Sequence, residues 1–78
     1  MPTVLRSGPY RFFFFSGDRE EPQHVHVRRE WREAKIWIAP ILVADGGDYR
    51  PAELGYIIRI VEENQELLLR SWHEHFKG

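Results

Sequence analysis

Two histidines one residue apart are the side chains of this chain best suited to chemistry. His24 and His26 alternate with Val25 and Val27 in a stretch of high strand preference. Because successive side chains of a strand point to opposite faces, both imidazoles are predicted to lie on one side and both valines on the other. We expect the two rings to face open solvent over an apolar backing.

A pair of imidazoles at this spacing is suited to binding a transition metal ion, provided that a third ligand is near. Asp18, Glu20 or Glu30 could supply a carboxylate. The metal hypothesis is therefore a site of two histidines and one acid with open coordination positions, written here as His24, His26 and Asp18. The sequence identifies no cofactor.

The same pair is also suited to acid–base catalysis, because imidazole accepts and releases a proton near neutral pH. In this hypothesis His24 and His26 flank a scissile phosphate of RNA, and Arg11 or Arg28 stabilises the developing negative charge. A third interpretation is structural, with both rings hydrogen-bonded in a partner interface or to neighbouring loop carbonyls. The sequence leaves these three interpretations open.

Cationic residues near the histidines indicate a weak basic patch on the first half of the chain. Arg32 and Lys35 lie close to Trp31, whose ring could stack on a base. The net charge of −1 argues against extensive coating by nucleic acid, and mixed-sign charge of this kind is also ordinary at a solvated hairpin end. The candidate phosphate or nucleic-acid contacts are Arg11, Arg28, Arg29 and Trp31.

Composition narrows the class of protein. Seventy-eight residues, 42% of them hydrophobic, predict one folded domain over residues 1–78. The absence of cysteine excludes disulfides, thiolate metal sites and a cysteine nucleophile. No stretch has the length of a membrane span or the pattern of a signal peptide, so we expect a cytoplasmic protein without membrane contact.

Apolar alternation predicts strands over 10–16, 24–29 and 33–38, with 41–44 as a bent continuation or an edge strand after Pro40. The aromatic run 12–15 is predicted to be core. Helical spacing begins after Pro51, and the polar stretch 62–65 predicts a break with Asn64 as a helix cap. This order indicates an α+β fold, a small antiparallel sheet of three to four strands followed by one kinked or two C-terminal helices packed on one face.

A second histidine pair, His73 and His75, lies on the predicted C-terminal helix. Residues two apart on a helix project about 200° apart around its axis, so these two rings cannot share a ligand. We expect them at the surface.

Several short motifs occur in order along the chain. They are MPTV at 1–4, the aromatic strand leading to Asp18, Pro22 with His24-Val25-His26-Val27, AKIW at 34–37, Gly46-Gly47, and ENQELL at 63–68 with Trp72 and Phe76. As a set they resemble the small bacterial family labelled DUF 4160, over essentially the whole chain. The resemblance implies a short intracellular prokaryotic protein, often encoded beside another small protein in pairs that look like toxin–antitoxin modules.

The resemblance also singles out Pro22, His24 and His26 as the family's hallmark. Two prolines more often precede the first histidine in the family, whereas Gln23 takes the place of the second proline here.

The motifs and the resemblance together favour two candidate functions. The first is a partner-binding member of a two-gene module, which binds a small cognate protein or a second copy through a sheet edge or aromatic surface. The alternative is a ribonuclease-like toxin with His24 and His26 as its acid–base pair, or a metal-binding protein that uses the same pair.

Overall fold

The computed structural model describes residues 3–77, which form a five-stranded antiparallel sheet followed by two helices. The strands are β1 (Thr3–Ser7), β2 (Tyr10–Phe13), β3 (His24–Arg29), β4 (Arg32–Ile38) and β5 (Ile41–Asp45), and the helices are α1 (Pro51–Glu63) and α2 (Gln65–Phe76). The strands lie in chain order, so β1 and β5 are the edges. The predicted α+β class is confirmed, and the sheet has more strands than the three to four expected.

β1 is the strand that the sequence analysis did not predict. It pairs with β2, and its register shifts between Thr3 and Leu5. Its burial pattern is mixed rather than alternating, because the shift interrupts the order of inward and outward side chains. Periodicity therefore carries little signal there. Of the start motif, Met1 and Pro2 lie outside the described residues.

β2 is shorter than the predicted strand 10–16. The predicted burial of the aromatic run 12–15 is confirmed for its first three residues, whereas Phe15 is only partly buried. Phe12 and Phe14 are fully buried in the main core, and Phe13 is fully buried on the other side of the sheet. After Phe13 the chain leaves the sheet and forms a 3-10 helix, Ser16–Glu20, whose first residue was predicted to be the end of the strand. The strand ends early because Asp18 hydrogen-bonds the backbone that precedes it.

The two helices cover one face of the sheet, as predicted. Alternate residues of β3 and β4 point into this core, which α1 and α2 complete. The main contributors are Val25, Val27, Ile36, Ile38, Ile57, Val61, Leu68 and Trp72. Within residues 3–77 no helix combines the length and apolar character needed to cross a membrane.

The predicted break between the helices is confirmed at Asn64, which is the C-cap residue of α1 and the N-cap residue of α2. The Asn64 side chain caps no helix N-terminus. Its Nδ2 instead donates a hydrogen bond of 2.8 Å to the Ile60 carbonyl, on the last turn of α1. The side chain therefore holds the end of the first helix rather than the start of the second.

Candidate functional site

Strand β3 places the two histidines on the same face of the sheet, as predicted. The centroids of the His24 and His26 rings are 5.1 Å apart, and the ring planes are nearly perpendicular. Val25 and Val27 point the other way, into the main core. The alternation of the sequence therefore describes the orientation of these four side chains.

The expectation that both rings face open solvent is wrong. His24 has no exposed surface and His26 is only 9% exposed. The His24 ring lies 5.3 Å from the Trp72 ring of α2 and 5.5 Å from the Trp37 ring of β4. His26 stacks on Phe13, with 5.6 Å between ring centroids. The alternation at residues 24–27 gives the direction of each side chain, but it carries no information on whether distant segments of the chain cover the histidine side of the strand.

Asp18 is the third member of this cluster. The 3-10 helix fixes it, because the Phe15 N–H donates to Asp18 Oδ2 at 2.8 Å. Its Oδ1 lies 3.1 Å from His24 Nε2, and its Oδ2 lies 3.1 Å from His26 Nε2. Among residues 3–77, only Asp18, His24 and His26 form such a group of potential metal ligands, with ligand atoms within 4.8 Å of one another. The other two acids considered, Glu20 and Glu30, lie outside it.

The Asp18 carboxyl group is ionised at neutral pH. Burial by itself raises its pKa, but the hydrogen bond from Phe15 N–H, the hydrogen bond from His26 and the electrostatic interaction with both imidazoles outweigh that effect. The net result is a pKa of Asp18 below its ordinary value. The cluster therefore contains a negatively charged oxygen pair next to two ring nitrogens.

The two nitrogens of His24 have different surroundings. Nδ1 lies 2.8 Å from the Pro22 carbonyl oxygen. A carbonyl oxygen only accepts, so Nδ1 carries a proton and donates it. Nε2 is buried and has no hydrogen-bond partner within residues 3–77. Asp18 Oδ1 is close to Nε2 but lies off the direction in which an N–H there would point, so their separation is not a hydrogen bond.

A second layer of carboxylates surrounds the rings. Glu33 Oε2 lies 3.7 Å from His26 Nδ1, and Glu21 Oε1 lies 3.9 Å from His24 Nδ1. Each of these acids also pairs with a cation, Glu33 with Arg28 and Glu21 with Lys35. The structural interpretation expected both rings to hydrogen-bond a partner or loop carbonyls. The loop-carbonyl bond is confirmed for His24, whereas His26 contacts carboxylates instead.

The four candidate phosphate contacts do not form one patch. The Arg11 and Arg28 guanidiniums lie over the Phe13 ring, at 4.9 Å and 5.4 Å from its centroid. Arg29 points to the opposite side of the sheet and pairs with Glu53, whose Oε2 is 3.0 Å from its Nη1. Of the four, only Arg11 and Arg28 are neighbours, and Arg28 is already paired with Glu33.

Trp31, the fourth candidate, is 68% exposed in the turn between β3 and β4, where only Arg32 lies over its ring. The acid–base hypothesis required two accessible rings around a phosphate. His24 is enclosed, and a cleft of about 150 Å³ reaches His26 alone. In this conformation the enclosed His24 ring is therefore not placed to flank a phosphate together with His26. His73 and His75 are exposed on α2, as expected.

The outer edge of β5 is a second feature that could act on a partner. Its side chains are mostly exposed, including Leu42 at 56% and Val43. Next to it is a cleft of about 290 Å³, lined by Pro22, Gln23, Trp37, Ala39, Pro40 and Leu42. The apolar run after Pro40 was the sequence signal for an edge strand here, but it did not identify Leu42 or Val43 as candidate contacts.

The fold and the cluster define a small α+β domain that carries a buried His–His–Asp group on one side of its sheet. A family model described as "Domain of unknown function (DUF4160)" matches residues 10–73, and the chain belongs to this family. Searches of curated proteins and of solved structures gave no match. The match includes Asp18, Pro22 and both histidines of the cluster.

Proposed function

We propose that this chain is a partner-binding member of a two-gene module of the toxin–antitoxin kind, acting in the prokaryotic cytoplasm. Its partner is the small protein encoded beside it, and β5 receives a strand of that protein. The observation that carries the proposal is an apolar edge strand whose outer side pairs with no strand within residues 3–77.

The backbone of an edge strand determines what kind of ligand fits it. Every second residue of β5 directs its N–H and C=O away from β4, and another extended chain satisfies these groups best. Leu42 and Val43 are exposed on opposite faces of the strand. An added strand would cover both side chains and so add apolar burial to the backbone hydrogen bonds.

The two edges of the sheet differ in a way that favours β5. β1 carries an exposed arginine, Arg6, which opposes the addition of a strand, whereas a register shift occurs in the pairing of both edge strands. β5 contains no lysine or arginine, and its only charge, Asp45, stands at the end of the strand. From Ile41 to Val43 it pairs regularly with β4.

The cleft beside β5 offers a place for a side chain of the added strand. Trp37 lies directly opposite Leu42 in the sheet and forms part of its wall. Pro40 and Ala39 supply the remaining apolar surface near the turn. A partner strand with a large apolar residue at the matching position would therefore gain specificity from this cleft.

The test is co-purification of the untagged chain with a tagged copy of the neighbouring gene's product, together with growth of cells that express either protein or both. Leu42→Lys is expected to abolish co-purification and any mutual control of growth, because a lysine there cannot be covered by an added strand. Leu67→Lys is the matched control, because it changes an exposed leucine of α2 and should leave the complex intact.

Equal co-purification by Leu42→Lys and the wild-type chain would contradict the assignment of β5. A stable dimer of the chain alone, disrupted by the same substitution, would identify a second copy as the occupant and overturn the choice of the cognate protein. Light scattering of the isolated chain distinguishes the two.

A further inference from the structure

We infer that Asp18, His24 and His26 bind one divalent transition metal ion, with His24 Nε2, His26 Nε2 and the Asp18 carboxylate as ligands. This site is independent of the partner-binding edge. It lies on the face of β3 opposite Val25 and Val27, where the 3-10 helix meets the start of that strand and Trp72 of α2 covers His24.

The unpartnered nitrogen of His24 is the first argument. Because Nδ1 donates its proton to the Pro22 carbonyl, a neutral His24 ring has only a lone pair at Nε2. That lone pair is fully buried and has no donor within residues 3–77. The nearest atom in the cluster is an Asp18 oxygen, which is also an acceptor. Two acceptors at this distance repel each other unless a cation lies between them.

The spacing of the ligand atoms is the second argument. Ligands about 2.0–2.1 Å from a tetrahedral zinc ion lie about 3.4 Å from one another, and each points at the ion rather than at its neighbour. The 3.1 Å between His24 Nε2 and Asp18 Oδ1 matches this arrangement, whereas His26 Nε2 makes a hydrogen bond of 3.1 Å to Asp18 Oδ2, which the ion would replace. The misalignment of Asp18 Oδ1 with His24 Nε2 is what two ligands of one ion show.

The supports of the ligands are the third argument. Histidines that bind metals usually donate their other ring N–H to a backbone carbonyl or a carboxylate, which sets the tautomer and the ring orientation. His24 has the Pro22 carbonyl in this position, whereas the Glu33 carboxylate lies 3.7 Å from His26 Nδ1, beyond hydrogen-bond distance. Asp18 is held by the Phe15 N–H. Hydrogen bonds therefore already orient His24 and Asp18, and His26 is held by its stacking on Phe13.

The ligand chemistry limits the ion. Two imidazole nitrogens and one carboxylate oxygen suit zinc, nickel, cobalt, iron or manganese, and they do not suit calcium, which prefers oxygen ligands. Three protein ligands leave at least one coordination position for water. Asp18 and His26 each keep a small exposed surface, through which that water exchanges.

The structural effect of the ion follows from where its ligands lie. Asp18 belongs to the 3-10 helix, whereas both histidines belong to β3, and the His24 ring packs on Trp72 of α2. One ion would join the first two elements and fix the ring on which the third packs. We therefore expect zinc binding to raise the melting temperature and to change tryptophan fluorescence.

The test uses the full chain purified without a histidine tag, stripped with a chelator and titrated with zinc by calorimetry. The expected result is one ion per chain. Asp18→Asn and the double variant His24→Ala/His26→Ala should each weaken zinc binding by more than about 100-fold, since changing an outer partner of a metal ligand already costs 10–100-fold. Asp18→Asn keeps an oxygen that can accept from Phe15 N–H.

The matched control is His73→Ala/His75→Ala, which removes the exposed histidine pair of the same spacing and should leave zinc affinity unchanged. Circular dichroism confirms that each variant is folded. Should a variant fail to fold, nitrogen-15 NMR of the wild-type imidazoles tests whether these histidines bind zinc. We expect zinc to shift the Nε2 signals of His24 and His26, while Nδ1 of His24 stays protonated. Zinc that binds only at His73 or His75, or imidazole signals of His24 that zinc does not change, would overturn the site.

Discussion

Gly47 is the residue whose replacement the backbone tolerates least. Its φ of +57° lies in the left-handed region, and a Cβ there would lie 1.9 Å from the Glu33 carbonyl oxygen of β4. The Gly47 N–H also donates a hydrogen bond of 2.8 Å to Asp45 Oδ1, which holds the turn in this conformation. At this residue the turn after β5 touches the sheet so closely that only hydrogen fits.

Gly47→Ala is therefore expected to destabilise the protein more than Gly8→Ala. Gly8 has the same φ of +57° but open space around a Cβ, so it reports backbone strain alone, about 1–2 kcal/mol. The clash with Glu33 adds ~1–3 kcal/mol at Gly47. Equilibrium urea denaturation of the two variants measures the difference. Equal losses would show that the turn moves away from β4 at no cost.

At the scale of elements, α2 packs against the rest of the protein through one face only. Leu68 and Trp72 are buried in the core, and Trp72 packs edge-on against Phe14, with 5.3 Å between their rings. Leu67, next to Leu68 in the chain, is 39% exposed because consecutive helical residues are about 100° apart. Two neighbouring leucines therefore differ only in the direction they face.

Leu68→Ala is expected to cost about 2–5 kcal/mol of unfolding free energy, because it leaves a cavity in the main core. Leu67→Ala removes the same atoms from the surface and should change stability by less than about 1 kcal/mol. Thermal and urea denaturation of both variants test the assignment. Similar losses at the two positions would mean that α2 packs by a different face.

At the scale of the whole molecule, tyrosine hydroxyls connect the sheet to the segment that leads into α1 and to α1 itself. Tyr10 donates to Glu53 Oε2 at 2.7 Å, and Tyr49 donates to the Arg32 carbonyl at 3.1 Å. Burial raises the pKa of Tyr49 to about 12 and also raises the pKa of Tyr10. Both phenols are thus kept neutral by the fold.

Stability is therefore expected to fall in alkaline solution. Between the unfolded pKa of 10.0 and the folded pKa of about 12, the unfolded chain releases the Tyr49 proton and the folded chain retains it. The free energy of unfolding then decreases as pH rises, by about 1 kcal/mol per pH unit from this group. This stabilisation is complete below pH 10 and is lost through pH 12.

Urea denaturation across this pH range measures the loss, and Tyr49→Phe provides the comparison. The variant should show a shallower decline, because it lacks the titrating group. A wild-type chain and a Tyr49→Phe chain that lose stability in parallel would contradict the buried, late-titrating phenol.

The local features of the protein were predictable from the sequence. Alternation at residues 24–27 predicted the common direction of the two imidazoles, and helical spacing after Pro51 predicted two helices with a break near Asn64. These features depend on residues close in the chain, where periodicity and turn chemistry act directly. β1 was missed because its register shift breaks that periodicity.

The histidine cluster shows where prediction from the sequence ended. The residue types and the spacing of His24 and His26 identified the pair, and Asp18 was one of three acids that could complete it. Its selection required the 3-10 helix, whose hydrogen bond to Phe15 aims the carboxylate at both rings. The enclosure of His24 required Trp72, which lies far along the chain.

By itself, therefore, the sequence determined the elements, the class of fold and the side of the sheet on which the histidines lie. Only the tertiary structure decided that they are buried, which acid joins them, which cations are already paired, and that β5 remains an open edge. The physical reason is that burial and pairing depend on contacts between residues remote in sequence, whereas the direction of a side chain depends on the backbone at that residue.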